Sequence, residues 1–353
     1  MSQGGRREKE TKIHSAPYHV HRKQCDRQSE LGFLDLDMNP DIGDPGKKNM
    51  ARLCFDLRDE DELHSLQMMK VLSHDNVLHV RATKKLEKTE SVAVCVDEFT
   101  GILHDLLGVK NNRFRFTDAE DVVPSPLLQE LISQMVDGID YIKECGYYHG
   151  NLSLKTTFYH KHANGYTIKL SNFQLKNSKD LQQCKRDDWI SLGESLDEIS
   201  VLASRSASAQ AKVGLLDDLA QKLKSFSFQS LETVKDDVKG HPFFWNGPKR
   251  KDFYTTDVPR ALKDSTFVAR IANIQIPLPW NIDTYDGYLT DMVKYRADKS
   301  LKAYSMIDKV DHVKCISGMY THEMQYREGR RAVDIVVQFR NYRLCLDLKE
   351  AMR

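Results

Sequence analysis

The stretch that decides the fold runs from residue 126 to residue 193 and reads PLLQELISQMVDGIDYIKECGYYHGNLSLKTTFYHKHANGYTIKLSNFQLKNSKDLQQCKRDDWISLG. Its first part predicts the strongest helix of the chain, because apolar residues recur at the spacing of one helix face: Leu127, Leu128, Leu131, Ile132, Met135, Val136, Ile139 and Ile142. Gly146 follows as the predicted end of this helix. The segment YHGNL (148–152) comes next, and a short strand is predicted at 167–170.

The order of the motifs resembles the C-terminal lobe of a protein kinase. His149-Gly-Asn151 stands where the catalytic loop has His-Arg-Asp, and Asn172-Phe-Gln174 stands where the metal-binding segment has Asp-Phe-Gly. The segment DWISLG (188–193) matches the start of the helix beneath that lobe, and GHPFFW (240–245) ends it. Each match alone is weak, and their order and spacing carry the interpretation.

The departures from the kinase pattern point to a pseudokinase. The catalytic-loop aspartate orients the substrate hydroxyl and accepts its proton, and the neutral amide of Asn151 cannot act as that base. Asn172 removes a formal negative charge from the metal position, and Ser153 and Thr156 replace the expected lysine and asparagine. A functional serine/threonine kinase that recruits another carboxylate, such as Asp187 or Asp188, is the alternative.

The nucleotide crevice of such a lobe is assigned to four positions. No glycine-rich phosphate loop is recognisable, and either Leu53 or Cys54 stands at the position of the nucleotide lysine. The hinge falls at residues 96–99, so the expected lining residues are Cys54, Val96, Asp97 and Phe99. No cofactor is required on this interpretation, and ATP or ADP is an optional ligand.

Length and composition fit this layout. The 353 residues allow about two domains, and the formal net charge of +1 argues against a protein that binds nucleic acid by bulk charge. Seven cysteines, none in a Cys-x-x-Cys pair, indicate reduced thiols and an intracellular, cytoplasmic location. No apolar stretch is long enough for a membrane span, so no membrane partner is expected. A DNA partner is not expected either, given the net charge of +1.

Residue patterns predict further strands and helices. Residues 52–57 and 92–96 are predicted as strands, and residues 60–72, 102–107, 188–204 and 213–226 as helical. The predicted organisation is a disordered basic tail over residues 1–28, a kinase-like domain over 29–246, and a helical ribonuclease-type domain over 247–353. The fold class is therefore α+β, with a two-lobed kinase-like fold followed by a mainly α-helical domain.

A kinase lobe followed by a helical unit resembles the family of ribonuclease L and the endoplasmic-reticulum stress sensor kinase/endoribonuclease, which acts in the unfolded protein response. In that family, dimerised kinase lobes bring two nuclease domains together, and RNA is cleaved without a metal. The resemblance implies a homodimer, or a heterodimer with a related kinase/nuclease, and RNA as an optional partner.

The resemblance implies specific nuclease residues in the second unit. Trp280 in PWNI (279–282) resembles the family's tryptophan, and TDMVKYR (290–296) resembles its Asp-to-Arg helix. Asp291 and Arg296 are therefore candidate catalytic residues, although they are five positions apart where the family has six. Leu301 occupies the position of the family's histidine, and Tyr304 stands near that of the following tyrosine.

Simpler interpretations of these residues remain open. Trp280 can be a core residue, Asp291 a helix cap or an exposed ion-pair member, and Arg296 a solvent-facing side chain. The basic run Lys249-Arg-Lys251 is either a solvated face or an RNA contact. The histidines His312 and His322 are out of register, and His322 restores a catalytic site only if it folds back toward the others.

The sequence thus favours a pseudokinase fused to a degenerate endoribonuclease-type domain that acts as a dimerising regulatory or scaffold module. The first alternative is an active metal-independent endoribonuclease controlled by a pseudokinase lobe. The second is an atypical serine/threonine protein kinase.

Overall fold

The computed structural model describes residues 50–85, 91–108, 116–117, 124–176, 180–204, 214–228, 230–276, 285, 287–326, 332–341 and 343–353. The predictions for the tail at 1–28 lie outside these residues. The described part mixes helices with two small antiparallel sheets, which confirms the α+β class. None of the helices it contains is long and apolar enough to cross a membrane.

The chain divides into two compact units. Within the described ranges, the first unit gathers the residues up to 108 together with 130–202 and 220–235. The second gathers the described residues of 116–129 and 203–219 together with those from 236 onward.

The first sheet contains strands β1 (Met50–Asp56), β2 (Val80–Lys85) and β3 (Ser91–Asp97), in the order β1-β3-β2. Strand β3 is central because its valines, at 92, 94 and 96, are all buried. Strands β1 and β3 were predicted from their β-branched and apolar runs. Strand β2, whose sequence VRATKK carries three cations, was not.

Helix α1 (Glu60–Val71) follows β1 and begins at Asp59, whose carboxylate accepts hydrogen bonds from the amides of Asp61 and Glu62. This capping satisfies two of the amides that a helix N-terminus leaves without intrahelical partners. One face of α1 is buried, and its members are Ser65, Leu66, Met68 and Met69.

The second sheet contains β4 (Gly101–Ile102), β5 (Thr157–Lys161) and β6 (Tyr166–Leu170) in sequence order. The short helix α2 (Leu103–Leu107) follows β4 directly. The backbone of Leu78 donates to the carbonyl of Leu170 at 2.9 Å, so the segment after α1 extends the edge of β6. The prediction located β6 and missed β5, whose sequence TFYHK has no apolar alternation beyond its first residues.

The predicted long helix is α3 (Pro126–Glu144). Seven members of its apolar stripe are at most 2% exposed: Leu128, Leu131, Ile132, Met135, Val136, Ile139 and Ile142. Gly146 ends the helix with a φ of 88°, and the amide of Tyr147 reaches back to the carbonyl of Ile142 at 3.0 Å. This is the left-handed helix end that favours glycine. Helices α4 (Leu181–Ser204) and α5 (Gly214–Lys224) follow and confirm the predicted helical patterns.

The remaining elements are helical. They are α6 (Val234–Lys239), a 3₁₀ turn (Pro242–Phe244), α7 (Gly247–Asp252), a π-helical turn (Phe253–Asp257), α8 (Val258–Ala261), α9 (Ser265–Ile271), α10 (Tyr288–Asp298), α11 (Lys309–Tyr326), α12 (Val333–Asn341) and α13 (Leu344–Ala351).

A buried polar network joins three elements at the core of the second unit. Arg250 of α7 is 3% exposed and donates from Nε and Nη2 to the carboxylate of Asp334 at 2.8 to 2.9 Å. The Tyr320 hydroxyl of α11 donates to the same carboxylate at 2.8 Å. A buried guanidinium is tolerated here because its charge is paired and its donors are satisfied.

Candidate functional site

One buried carboxylate holds the loop at residues 148–152. Asp188 of α4 is 3% exposed and accepts hydrogen bonds from the backbone amides of His149 at 2.6 Å and Gly150 at 2.8 Å. Burial raises the pKa of Asp188 to about 6, although the two amides oppose that rise. Both oxygens of the carboxylate are thus engaged with the backbone.

Gly150 is required by the geometry of this loop. Its φ of 78° lies in the left-handed region, and a Cβ at this position would lie 2.1 Å from the carbonyl oxygen of Gln174. The close approach brings the loop against the segment after β6, where the amide of Gln174 donates to the carbonyl of His149 at 3.0 Å.

His149 is a structural residue of the first unit. Its ring is fully buried and lies 4.7 Å from the ring of Phe173. Its Nδ1 accepts from the amide of Asn151 at 3.2 Å. Burial lowers the pKa of His149 to about 3, so the imidazole is neutral at physiological pH.

The structure brings Asn151 and Asn172 into contact. The Asn151 side-chain Nδ2 donates to the backbone carbonyl of Asn172 at 3.3 Å. Asn172 is 2% exposed, has a φ of 63°, and accepts at Oδ1 from the hydroxyl of Ser171 at 3.0 Å. The Thr156 hydroxyl donates to the Asn151 carbonyl at 2.6 Å. These residues, with His149 and Asp188, are called the asparagine cluster below.

Helix α1 contacts the same segment through a residue that the sequence did not reveal. Asp61 accepts from Gln174 Nε2 at 2.8 Å and from the Leu175 amide at 3.1 Å. On the same helix, Ser65 is buried, and Glu62 accepts from the Asp56 amide. Because Asp61 and Gln174 are 113 positions apart, only the fold relates them.

Of the predicted nucleotide-lining residues, Val96 and Phe99 are buried in the core, and Asp97 forms ion pairs. Val96 is fully buried and Phe99 is 5% exposed, with its ring stacked on that of Phe158 at 4.3 Å. The carboxylate of Asp97 pairs with Arg81 at 2.6 Å and with Lys169 at 3.7 Å. The backbone of Cys54 is opposite Ala93 in the sheet.

Asp291 and Arg296 lie on one helix, α10, and point in different directions. Five residues along an α-helix correspond to about 140° around its axis beyond one full turn. The guanidinium of Arg296 lies over the ring of Tyr304 at 4.4 Å from its centroid, and Nε donates to the carbonyl of Lys302. Burial raises the pKa of Tyr304 and the neighbouring Arg296 opposes the rise. Two of the predicted residues are thus in contact, whereas Trp280 lies outside the described residues.

The three positions considered for a catalytic histidine differ in exposure. Leu301 is 48% exposed beyond the end of α10. His312 is 2% exposed, its Nε2 lies 3.2 Å from the Tyr285 hydroxyl, and burial lowers its pKa to about 4.

His322 folds back onto α10. Its ring lies 4.8 Å from that of Tyr295, the residue before Arg296, and its Nδ1 is 3.2 Å from Gln325 Oε1. Tyr295 was not predicted, although it is one turn after Asp291 on the same helix. Tyr295, Arg296, Tyr304 and His322 are called the α10–α11 cluster below.

The basic run at 249–251 does not form one face. Arg250 is buried against Asp334, and Lys251 pairs with Glu323 at 3.4 Å. Lys249 is exposed. The three cations therefore have three different environments, which neither simple interpretation of the run predicts.

In comparisons with known proteins, the chain matches no family model and no curated protein. Within the described ranges, no three histidine, cysteine, aspartate or glutamate side chains form a group that could hold a metal ion.

Proposed function

We propose that this chain is a pseudokinase fused to a degenerate endoribonuclease-type domain, acting as a dimerising regulatory or scaffold module. The observation that carries the proposal is the contact between Asn151 and Asn172, two neutral amides at the positions that the resemblance assigns to kinase carboxylates. The dimerisation comes from the family resemblance.

The chemistry of phosphoryl transfer explains why neutral amides matter. A kinase needs a carboxylate to orient the attacking hydroxyl and a second to hold magnesium. Asn151 can accept hydrogen bonds but does not take up a proton, and Asn172 contributes no negative charge to a cation. The pair therefore supports a binding or scaffolding role for this lobe.

The two carboxylates that an atypical kinase would recruit, Asp187 and Asp188, do not compensate for the loss. Both oxygens of Asp188 accept from backbone amides. The neighbouring Asp187 accepts from Gln183 on its own helix at 2.8 Å. These contacts favour a pseudokinase over an atypical serine/threonine kinase.

The ribonuclease-type site is incomplete at its acid–base position. Leu301 is exposed where the resemblance places the histidine, and the spacing of Asp291 and Arg296 separates them around α10. General acid–base cleavage of RNA needs a group that deprotonates the 2′-hydroxyl and a cation beside the phosphate. Arg296 supplies a cation, and its guanidinium is held by Tyr304.

The experiment is a thermal denaturation series with ATP, with and without magnesium, on the wild type and on the variant Asn151→Asp/Asn172→Asp. A ligand that binds only the folded state raises the melting temperature. We expect any shift of the wild type to be independent of magnesium, whereas the two added carboxylates introduce a magnesium dependence. A magnesium-dependent shift of the wild type that Asn172→Ala abolishes contradicts the proposal.

A second candidate is an active, metal-independent endoribonuclease that uses the α10–α11 cluster. The observation that favours it is the ring contact between His322 and Tyr295, which places an imidazole beside the helix that carries Arg296. This candidate expects cleavage of single-stranded RNA in EDTA to a cyclic phosphate product. It further expects His322→Ala to abolish that cleavage while Leu301→Ala leaves it unchanged.

A further inference from the structure

A cleft in the second unit is lined by an excess of positive charge. Its volume is about 660 Å³, and its walls come from the end of α6, the segment 244–257 and the end of α13. The charged and aromatic residues that matter are Lys239, Lys249, Lys349, Arg353, Trp245 and Asp257. We call this the basic cleft.

The charge of the basic cleft differs from that of the chain. Four cationic residues and one carboxylate line it, which gives 4 − 1 = +3, against +1 for the whole sequence. The one lining carboxylate, Asp257, lies 3.7 Å from Arg260, and the lining cation Arg353 lies 3.6 Å from Asp237. Neither Arg260 nor Asp237 lines the cleft, so these two outside charges offset each other. The lining therefore produces a positive potential in a concave site, where low-dielectric walls concentrate the field.

Two uncharged groups contact one of these cations, Lys349. The carbonyl of Gly240 accepts from Trp245 Nε1 at 3.0 Å and also from the ammonium of Lys349. The same ammonium lies 5.5 Å from the centroid of the Trp245 ring. Neither the carbonyl nor the ring carries a formal charge, so both position Lys349 without cancelling its charge.

The sequence around Lys249 directs that lysine into the cleft. Arg250 is 3% exposed and pairs with Asp334, and Lys251 pairs with Glu323. With its two neighbours engaged in these ion pairs, Lys249 is the member of the basic run that lines the cleft.

We propose that the basic cleft binds a small polyphosphorylated molecule. Its volume falls within the range of small-molecule sites. Lysine ammonium groups bind phosphate as point charges, and an arginine adds a planar pair of donors. Several cations around one concavity suit a ligand that carries several phosphates.

A single-stranded RNA fits the cleft less well. Recognition of unpaired bases relies on exposed aromatic rings for stacking. Trp245 is 7% exposed and Phe253 is 3% exposed, so their rings offer little free face to a base. Phe244, the third aromatic residue of the lining, is half-buried, so the lining offers one partly exposed ring beside four cationic residues.

The test is calorimetric titration of the full chain with inorganic tripolyphosphate at low ionic strength. We expect saturable binding that weakens as salt is added, because exposed charges are screened. Lys249→Glu and Arg353→Glu should each weaken binding by roughly tenfold, the usual consequence of losing one charged contact. The matched control is Lys263→Glu, an exposed lysine of the same unit outside the cleft, which should leave the affinity unchanged.

Three results overturn the proposal. They are no binding of tripolyphosphate, an equal loss of affinity in Lys249→Glu and Lys263→Glu, and binding of a short single-stranded RNA when tripolyphosphate does not bind. Melting curves of the variants verify that they remain folded. The probe contains no nucleoside and needs neither phosphoryl transfer nor RNA cleavage, so its result is independent of the function proposed above.

Discussion

The asparagine cluster and the α10–α11 cluster differ in the partners and the burial of their polar side chains. In the asparagine cluster, the side chains of Asn151, Thr156 and Asp188 bond to backbone groups, and Asn172 accepts from the Ser171 hydroxyl. In the α10–α11 cluster, a guanidinium and an imidazole remain half-buried on neighbouring helices, each against a tyrosine ring. Buried and neutral groups indicate a structural role for the asparagine cluster. In the α10–α11 cluster, ionisable groups are partly exposed and can reach solvent or a ligand.

The largest expected effect breaks the asparagine cluster at Asp188. Asp188→Ala leaves the amides of His149 and Gly150 buried without an acceptor, so the free energy of unfolding should fall by about 3 kcal/mol. Urea denaturation measures the change. Asp187→Ala is the matched control, and its cost should stay below about 0.5 kcal/mol. Equal effects of the two substitutions would mean that the hydrogen bonds of Asp188 to the loop amides do not stabilise the fold.

A smaller effect concerns the pH dependence of stability in the second unit. The pKa of folded His312 is about 4 against an ordinary 6.5, so between these values the unfolded chain binds a proton that the folded chain does not. Stability should therefore fall as the pH drops from 7 to 5. His312→Phe should reduce that fall by about 2 kcal/mol, measured by denaturation at both pH values.

The raised pKa of Asp188 acts in the opposite direction, because its protonation favours the folded state as the pH falls. The comparison of wild type with His312→Phe isolates the histidine contribution. An identical fall in stability for both proteins would contradict the assignment of His312 as a buried neutral imidazole.

The next effect concerns the backbone of Asn172. Asn172 has a positive φ, which is costly for an alanine because alanine has a Cβ and no side-chain hydrogen bond. Asn172→Ala should therefore lower the free energy of unfolding by about 1 kcal/mol. Asn172→Gly, which is relaxed at this φ, should cost less. If alanine proves as stable as glycine, the backbone at this position does not carry the expected strain.

The smallest effect concerns the α10–α11 cluster. Arg296→Ala removes the contact with the Tyr304 ring and should cost about 0.5–1 kcal/mol. Lys294→Ala, an exposed lysine on the same helix, is the control and should cost almost nothing. If Arg296→Ala lowered the free energy of unfolding as much as Asp188→Ala, the two clusters would not differ in their contribution to stability.

Local sequence patterns predicted the elements whose signal is local. The apolar stripe of α3 and the glycine at 146 were sufficient for that helix and its end. The motif order singled out Asn151 and Asn172, and the structure places the two in contact. Strand β2 was missed because its burial depends on pairing with β3.

The remaining site contacts depend on the fold. The bond between Asp61 and Gln174 and the ring contact between Tyr295 and His322 join residues far apart in sequence. The basic run at 249–251 shows the same limit, since the partners that separate its cations, Asp334 and Glu323, are more than 70 positions away.

The most direct test of the central claim is incubation of the full chain with ATP and magnesium, followed by intact-mass measurement. We expect no added phosphoryl group. The amides of Asn151 and Asn172 supply neither the general base nor the negative charge for magnesium that phosphoryl transfer requires. The contradicting result is a magnesium-dependent phosphoryl addition to the wild type that disappears in both Asn151→Ala and Asn172→Ala.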